Sequence, residues 1–172
     1  MQLCDAHGLP IVTLVDTPGM MVGPAVEETA LVRHCSRLFV TGANLSVPMV
    51  SIVLRKSYGL GAQAMMGGST KAPLACVGWP TSEFGGMGLE GAVRLGYRKE
   101  LEACATDDER GALFTELVDR MYEHGRGVRF AEVFEIDDVI DPADSRRWLT
   151  TLLDAAPARE SGAPVRPNID TW

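Results

Sequence analysis

The run from Pro48 to Met65 couples three local structures in eighteen residues. Pro48-Met49-Val50-Ser51-Ile52-Val53-Leu54 is apolar and β-branched, Arg55-Lys56-Ser57-Tyr58 is a short basic turn, and Gly59-Leu60-Gly61 leads into a helix beginning at Ala62. A strand of that composition, without alternation, suits burial on both faces of a parallel sheet. The glycines lack Cβ, so positive φ costs little and a ligand can come close to the main chain. Amides at the start of the helix are then free to hold negative charge.

Three readings of this segment stand side by side. A G-x-G-x-x-A pattern after a strand is compatible with a dinucleotide-binding turn, but that motif places its first glycine at the strand end and an acidic ribose contact about twenty residues later. Four residues, Arg55 to Tyr58, intervene here, and Glu83 follows Trp79-Pro80 rather than a strand. The second reading is a tight turn and nothing more. The third is an oxyanion-stabilising turn that works through its backbone amides.

Periodicity along the rest of the chain predicts α/β architecture. Residues 11–15 form an apolar run stopped by Asp16-Thr17-Pro18-Gly19, a strand feeding a turn. Gly23-Pro24 opens a helix reaching Ala43, with Pro24 at its first position, Glu27 and Glu28 at its positive end, and Val26, Ala30, Leu31, Cys35, Leu38 and Phe39 on one stripe. Residues 74–78 make a third apolar run, and a glycine-rich loop leads into a helix ending near Tyr97. Residues 98–106 read as a helix end or linker. Residues 107–123 read as a helix capped by Asp107 and ended by Gly125. Residues 131–140 read as a strand-like edge, and Asp141-Pro142 starts a last helix. Residues 156–172, rich in Pro, Arg, Gly and Ser, read as an extended or disordered tail.

Composition excludes several function classes. The 172 residues carry a formal charge of −7, which disfavours non-specific nucleic-acid binding because phosphate neutralisation needs clustered Lys and Arg. No apolar run approaches a bilayer span, and no signal peptide opens the chain. Cys4, Cys35, Cys76 and Cys104 are isolated, without metal-ligand spacing, so they read as reduced thiols and no metal site is expected. The expected compartment is the cytoplasm. His7, His34 and His124 are scattered, Ser57 and Ser82 have no evident histidine partner, and none of the hydrolase, P-loop or zinc-protease motifs occurs.

Four motifs, in order, carry a resemblance over residues 1–155. Val15-Asp16-Thr17-Pro18-Gly19-Met20-Met21-Val22-Gly23, followed by Glu27-Glu28, resembles the V-D-x-P-G-F-x-x-G…E segment of biotin-dependent acyl-CoA carboxyltransferases. Arg55-Lys56-Ser57-Tyr58-Gly59 is similar to that family's R-K-x-Y-G turn. Trp79-Pro80-Thr81-Ser82-Glu83, with Met87-Gly88 and Gly91-Ala92-Val93, is similar to its W-P-x-x-E…M-G…G-A-V run. Ile136-Asp137-Asp138-Val139-Ile140-Asp141-Pro142 with Arg146-Arg147 is similar to its I-D-x-V-I-x-P…R ending.

The resemblance implies a crotonase-like (ClpP/crotonase) ββα superhelix, incomplete at its N-terminal end, because all four motifs belong to the second of the family's two halves. Residues 1–155 would be the C-terminal part of a carboxyltransferase domain, either a fragment or a chain whose missing half is supplied separately. It also implies an acyl-CoA substrate, biotin presented as carboxybiotin on a carrier domain, a biotin carboxylase and carrier subunit as partners, and an N-terminal carboxyltransferase half or homo-oligomer. Carried over by position, the backbone N–H groups of Leu60 and Gly61, shaped by Gly59, form the oxyanion hole for biotin. Pro18, Gly19, Gly23, Tyr58 and Gln63 line the substrate and biotin pocket, with Tyr58 equally able to be a ring packed under the turn.

The turn departs from the commoner R-K-A-Y-G-G-A-Y-D pattern: Leu60 replaces a glycine, Gly61 an alanine, and Gln63 an aspartate near the acyl group. Backbone donors tolerate the first two changes, and the third bears on acyl specificity. Two other classes fit the same residues. One is a biotin-independent crotonase-like acyl-CoA enzyme, the other a non-catalytic assembly subunit of that fold.

Overall fold

Apart from Ser51, β-branched and apolar residues fill Met49–Leu54, and this stretch becomes an interior strand of the sheet. The computed structural model describes residues 1–157, so the expected tail falls, from residue 158 onward, outside the described residues. In chain order the elements are α1 (Gln2–Ala6), β1 (Ile11–Thr17), α2 (Pro24–Glu27), α3 (Leu31–Ala43), β2 (Met49–Tyr58), α4 (Gly59–Met65), β3 (Ala75–Gly78) and β4 (Glu83–Gly85). There follow α5 (Leu89–Gly96), α6 (Arg98–Glu102), α7 (Asp107–Gly125), α8 (Gly127–Glu132), β5 (Asp138–Val139), a 3-10 turn (Pro142–Asp144) and α9 (Ser145–Ala155).

Every strand pairing in the sheet is parallel, in the order β1-β2-β3-β5, with β4 joined to the far end of β2. Ile11 to Val15 lie opposite Met49 to Val53, and the register slips between Val15 and Thr17. Parallel neighbours need crossovers, and helices supply them, which makes the class α/β. Val15, Val53, Ala62, Met66, Cys76, Phe84 and Ile136 pack together on one side of the sheet; Ile52, Val77 and Ile140 meet Trp148 and Leu149 of α9 in a second cluster. Each fully buried valine contributes roughly 1.5–3 kcal/mol by leaving water, so β2, with Val50 and Val53 at 0% exposure, anchors the fold.

Several elements differ from the expectation, each for a local reason. The expected helix from Gly23 to Ala43 is broken: α2 ends at Glu27, and Ala30 takes a left-handed conformation at φ 58° before α3 starts. The Thr29 hydroxyl donates to the Val26 carbonyl at 2.8 Å, and the Thr29 and Ala30 amides close tight three-residue turns, so the chain is diverted before a continuous helix forms. The expected basic turn Arg55–Tyr58 is strand, because Glu83–Gly85 of β4 pairs with Lys56–Tyr58 and extends β2 to its last residue. The helix after it therefore starts at Gly59 rather than Ala62.

Helix α7 is capped by Thr106 rather than Asp107. The Thr106 hydroxyl accepts from the Glu109 amide at 3.2 Å while the Glu109 carboxylate accepts from the Ala105 amide at 3.0 Å, a reciprocal arrangement close to a capping box. The expected edge at 131–140 is mostly helix and turn: α8 runs to Glu132 and only Asp138–Val139 pair with β3. The linker 98–106 holds the short helix α6. Asp141 does cap the final helical segment, its carboxylate accepting from the Ala143 amide at 2.8 Å with Pro142 at the first position. No helix among the described residues is long and apolar enough to cross a membrane.

Candidate active site

Two turns meet at the end of the β1–β2 pair. Asp16 is the last residue but one of β1, and its carboxylate accepts from both Nε and Nη2 of Arg55, at 3.3 and 3.2 Å, and from the Lys56 amide at 3.1 Å. The two-pronged Arg55 contact holds the Asp16 carboxyl below the ordinary carboxylate range, with the Lys56 amide adding to it. Pro18 and Gly19 follow directly. The Gly19 amide donates to the Thr17 hydroxyl at 3.3 Å, and at φ 100° Gly19 brings its main chain against Tyr58: a Cβ there would lie 3.1 Å from the Tyr58 carbonyl oxygen.

Across from it, Gly59 starts α4 at φ 58°, and a Cβ would sit 2.7 Å from the Gly86 carbonyl oxygen. Gly61, one turn position on, faces the other way: its Cβ would lie 3.0 Å from the Gly19 carbonyl carbon and 3.2 Å from the Met20 nitrogen. Gly59 is required by its positive φ and by the close approach of Gly86, whereas a Cβ at Gly61 would be a tight fit against the Gly19-Met20 backbone. The amides of Leu60 and Gly61 precede the first i→i−4 bond of α4, and no loop or cap hydrogen bond takes either of them among the described residues. The Leu60 side chain is 60% exposed.

A cleft of about 250 Å³ opens beside this turn, lined by Gly59, Gln63, Ser57, Phe84, Gly86 and Phe130 among others. Its wall contains a stacked aromatic pair, Phe84 and Phe130, with ring centroids 4.5 Å apart and planes at 16°. Of the residues expected at the site, the structure brings Gly19, Tyr58, Gly59 and Gly61 into one backbone cluster and puts Gly59 and Gln63 in the cleft wall. Leu60 and Gly61 do not line that cleft. Gly23 is the N-cap of α2, with nothing within 4 Å of where its Cβ would be.

Tyr58 has its side chain in the core, 2% exposed, and its hydroxyl donates to the Glu83 carboxylate. Burial, reinforced by that carboxylate, pushes the phenol's pKa upward, so it stays a neutral donor. Of its two readings, this geometry is that of the ring packed under the turn. Nearby, the Tyr122 hydroxyl donates to Glu90 at 2.9 Å, and its pKa rises for that reason. Phe84, Phe130 and Thr70 escaped sequence reasoning because they reach the cleft from distant parts of the chain. The one local hint was the Gly85-Gly86 pair after Phe84. No group of His, Cys, Asp and Glu able to hold a metal occurs among the described residues.

Comparison with known proteins gives this geometry its context. The chain is 37% identical over 160 residues to the beta6 subunit of a biotin-dependent acetyl-/propionyl-coenzyme A carboxylase of Mycobacterium tuberculosis, covering 92% of this chain and 33% of that one. It is 32% identical over 168 residues to the methylmalonyl-CoA carboxyltransferase 12S subunit of Propionibacterium freudenreichii subsp. shermanii, covering 96% and 31%. A solved single-chain, multi-domain long-chain acyl-CoA carboxylase superposes with a TM-score of 0.77 at 56% identity, over 87% of this chain and 14% of that one. The chain thus spans about a third of the length of the curated relatives it matches. Its fold is that of the crotonase-like carboxyltransferase domains, covered in part. The carboxyl transferase domain family model matches residues 1–168, and with the D-T-P-G and R-K-S-Y-G turns packed on each other as described, the chain belongs to that family.

Proposed function

We propose that this chain forms part of the carboxyltransferase component of a biotin-dependent acyl-CoA carboxylase, which moves CO₂ from carboxybiotin to the α carbon of an acyl-CoA. The observation that carries the reading is the Gly59–Gly61 turn: a positive-φ glycine packed against the Gly86 carbonyl, a second glycine close against the Gly19 backbone, and two amides in the first turn of α4 that no loop or cap hydrogen bond takes among the described residues.

Biotin fits this donor set, because its ureido oxygen needs N–H donors and no metal or acid. When bound as carboxybiotin on a carrier domain, it supplies the CO₂ and the base. The amides of Leu60 and Gly61 hold an oxygen that gains negative charge as CO₂ leaves, and preorganised donors of this kind contribute about 3 kcal/mol each to lowering a barrier. Gly59 sets the dihedral that aims them. The Phe84–Phe130 wall and Gln63 bound the adjoining cleft, where they exclude water and shape the room for the acyl group. Tyr58, bonded to Glu83, supports the turn from below rather than reacting.

The remaining two-thirds of the carboxyltransferase domain, a biotin carboxylase and a biotin carrier complete the enzyme in this reading. The test is to assemble the chain with an N-terminal carboxyltransferase half and a biotinylated carrier, then assay carboxylation of acetyl-, propionyl- and longer acyl-CoA. Avidin-sensitive transfer is expected. Turnover of acyl-CoA that ignores avidin would replace this reading with a biotin-independent crotonase-like activity, and binding without turnover would leave an assembly subunit.

A further inference from the structure

A second cleft adjoins the one beside the glycine turn. The first, of about 250 Å³, carries polar groups in its lining, among them Ser57, Gln63, Thr70 and Glu135. The second, of about 290 Å³, is lined by Met87, Leu89, Ala92 and Met121, with His124 its one ionisable side chain among the described residues. The two share Phe84, Gly85, Gly86 and Phe130, so the stacked rings and the glycine pair form the partition between them.

Gly86 is the low point of that partition. Nothing lies within 4 Å of where its Cβ would be, and its φ is outside the left-handed region, so neither packing nor backbone conformation calls for glycine there. Gly85 is the opposite case, since a Cβ on it would meet Leu89 Cδ2 at 2.8 Å. The gap opens directly beside the turn: the Gly86 carbonyl oxygen lies 2.7 Å from where a Cβ on Gly59 would be. A polar cleft therefore passes, at a residue with no side chain, into an apolar one. An acyl thioester has the same polarity, a carbonyl that gains charge at one end and hydrocarbon at the other. Flexible methionines and aromatic rings suit hydrocarbon of variable length, and Met87 is 44% exposed.

We infer that Gly86 determines acyl specificity: it leaves open a passage through which the hydrocarbon of a long acyl-CoA runs from the glycine turn into the cleft of Met87, Leu89, Ala92 and Met121. This rests on the carboxyltransferase reading and names the substrate class for that same site.

The test uses the chain assembled with an N-terminal carboxyltransferase half and a biotinylated carrier, and compares decanoyl-CoA with acetyl-CoA. Gly86→Leu should lower the ratio of their kcat/KM values by about a hundredfold or more, because each methylene kept out of an apolar cleft forfeits about fourfold. Ala92→Leu, which fills the second cleft from α5, should lower the same ratio by about tenfold and serves if Gly86→Leu does not fold. Before any carboxylation, the methyl NMR signals of Met87 and Met121 should shift with decanoyl-CoA and not with acetyl-CoA, and Gly86→Leu should abolish the shifts. Equal losses for both substrates in the two variants, or Met87 and Met121 signals that ignore decanoyl-CoA, overturn the inference. So do signals that move without ligand on deleting residues 158–172 or on dilution, since the chain's own tail or a second copy then fills the cleft. Decanoyl-CoA that shifts both methionines in an assembly without avidin-sensitive transfer removes the proposed activity and keeps the cleft. Avidin-sensitive transfer with an unaltered ratio in both variants keeps the activity and removes this role of Gly86.

Discussion

Gly61 and Gly19 meet backbone to backbone: a methyl group on Gly61 would lie 3.0 Å from the Gly19 carbonyl carbon and 3.1 Å from its Cα. The two family turns are therefore one unit, and neither can be reshaped without moving the other. A side chain at residue 61 presses on main chain, which cannot rotate away as a flexible side chain would. Gly61→Val should lower carboxyl transfer by about a hundredfold or more in the assembled enzyme, the scale expected for displacing one oxyanion donor. It should also cost about 1–3 kcal/mol of stability by overpacking, so rates are compared per folded molecule from a urea titration. Normal transfer by folded Gly61→Val would move the site elsewhere.

The Ser82 hydroxyl is buried without a hydrogen-bond partner among the described residues, wedged where a Cβ on Gly127 would come within 1.9 Å and one on Gly78 within 2.4 Å. An unsatisfied buried hydroxyl is a net cost that an alanine removes at little loss of packing. Ser82→Ala should raise stability by about 1 kcal/mol in equilibrium urea unfolding. Destabilisation by Ser82→Ala would mean that the hydroxyl has a partner in solution.

Cys76, on β3, is fully buried with its thiol against the Met66 sulfur, and burial followed by the nearby Asp137 charge pushes that thiol up to about 12. At pH 8 the native chain should give a thiol reagent Cys4, Cys35 and Cys104, all partly exposed, and yield Cys76 only in denaturant. Mass spectrometry of the labelled peptides reads this directly.

Asp16 gives a pH signature. Arg55, then the Lys56 amide, hold its folded pKa below the unfolded value near 4. Its stabilising contribution is thus complete above about pH 4 and is lost as pH falls through the depressed folded pKa. Between neutral pH and pH 3, Asp16→Asn should lose less stability than the native chain, seen as a shallower fall of the urea midpoint. Parallel curves would show that solvent screens the pair out, as exposed ion pairs often are.

What could be read ahead of the structure follows the range of the interactions involved. β2 was legible because a largely apolar, β-branched run states burial on both faces by itself, β1 because its apolar run is stopped by Asp16-Thr17-Pro18-Gly19, and the Asp141-Pro142 start because a cap and a proline act on their nearest neighbours. The Ala30 break was missed because Thr29 and Val26 compete locally with a helical stripe that otherwise looks unbroken. The extension of β2 through Arg55–Tyr58 depends on β4, which lies beyond β3 in the chain. The glycine turn was identified by motif and its contacts with Gly19 only by the fold. The cleft wall of Phe84 and Phe130 has no local signature, since a stacked pair between β4 and α8 exists only once the chain has folded.

The pairing of β2 with both β1 and β4 has a mechanical consequence. Just before Gly59 the strand is clamped by a neighbour on either flank, with Thr17 opposite Ser57 on one and Gly85 opposite Tyr58 on the other. A platform held in that way has little compliance, so its amides keep their aim whether or not a ligand is bound. In the function proposed above, any rearrangement on substrate arrival is then taken up by softer parts of the assembly, and tolerance to misalignment comes from the visiting arm.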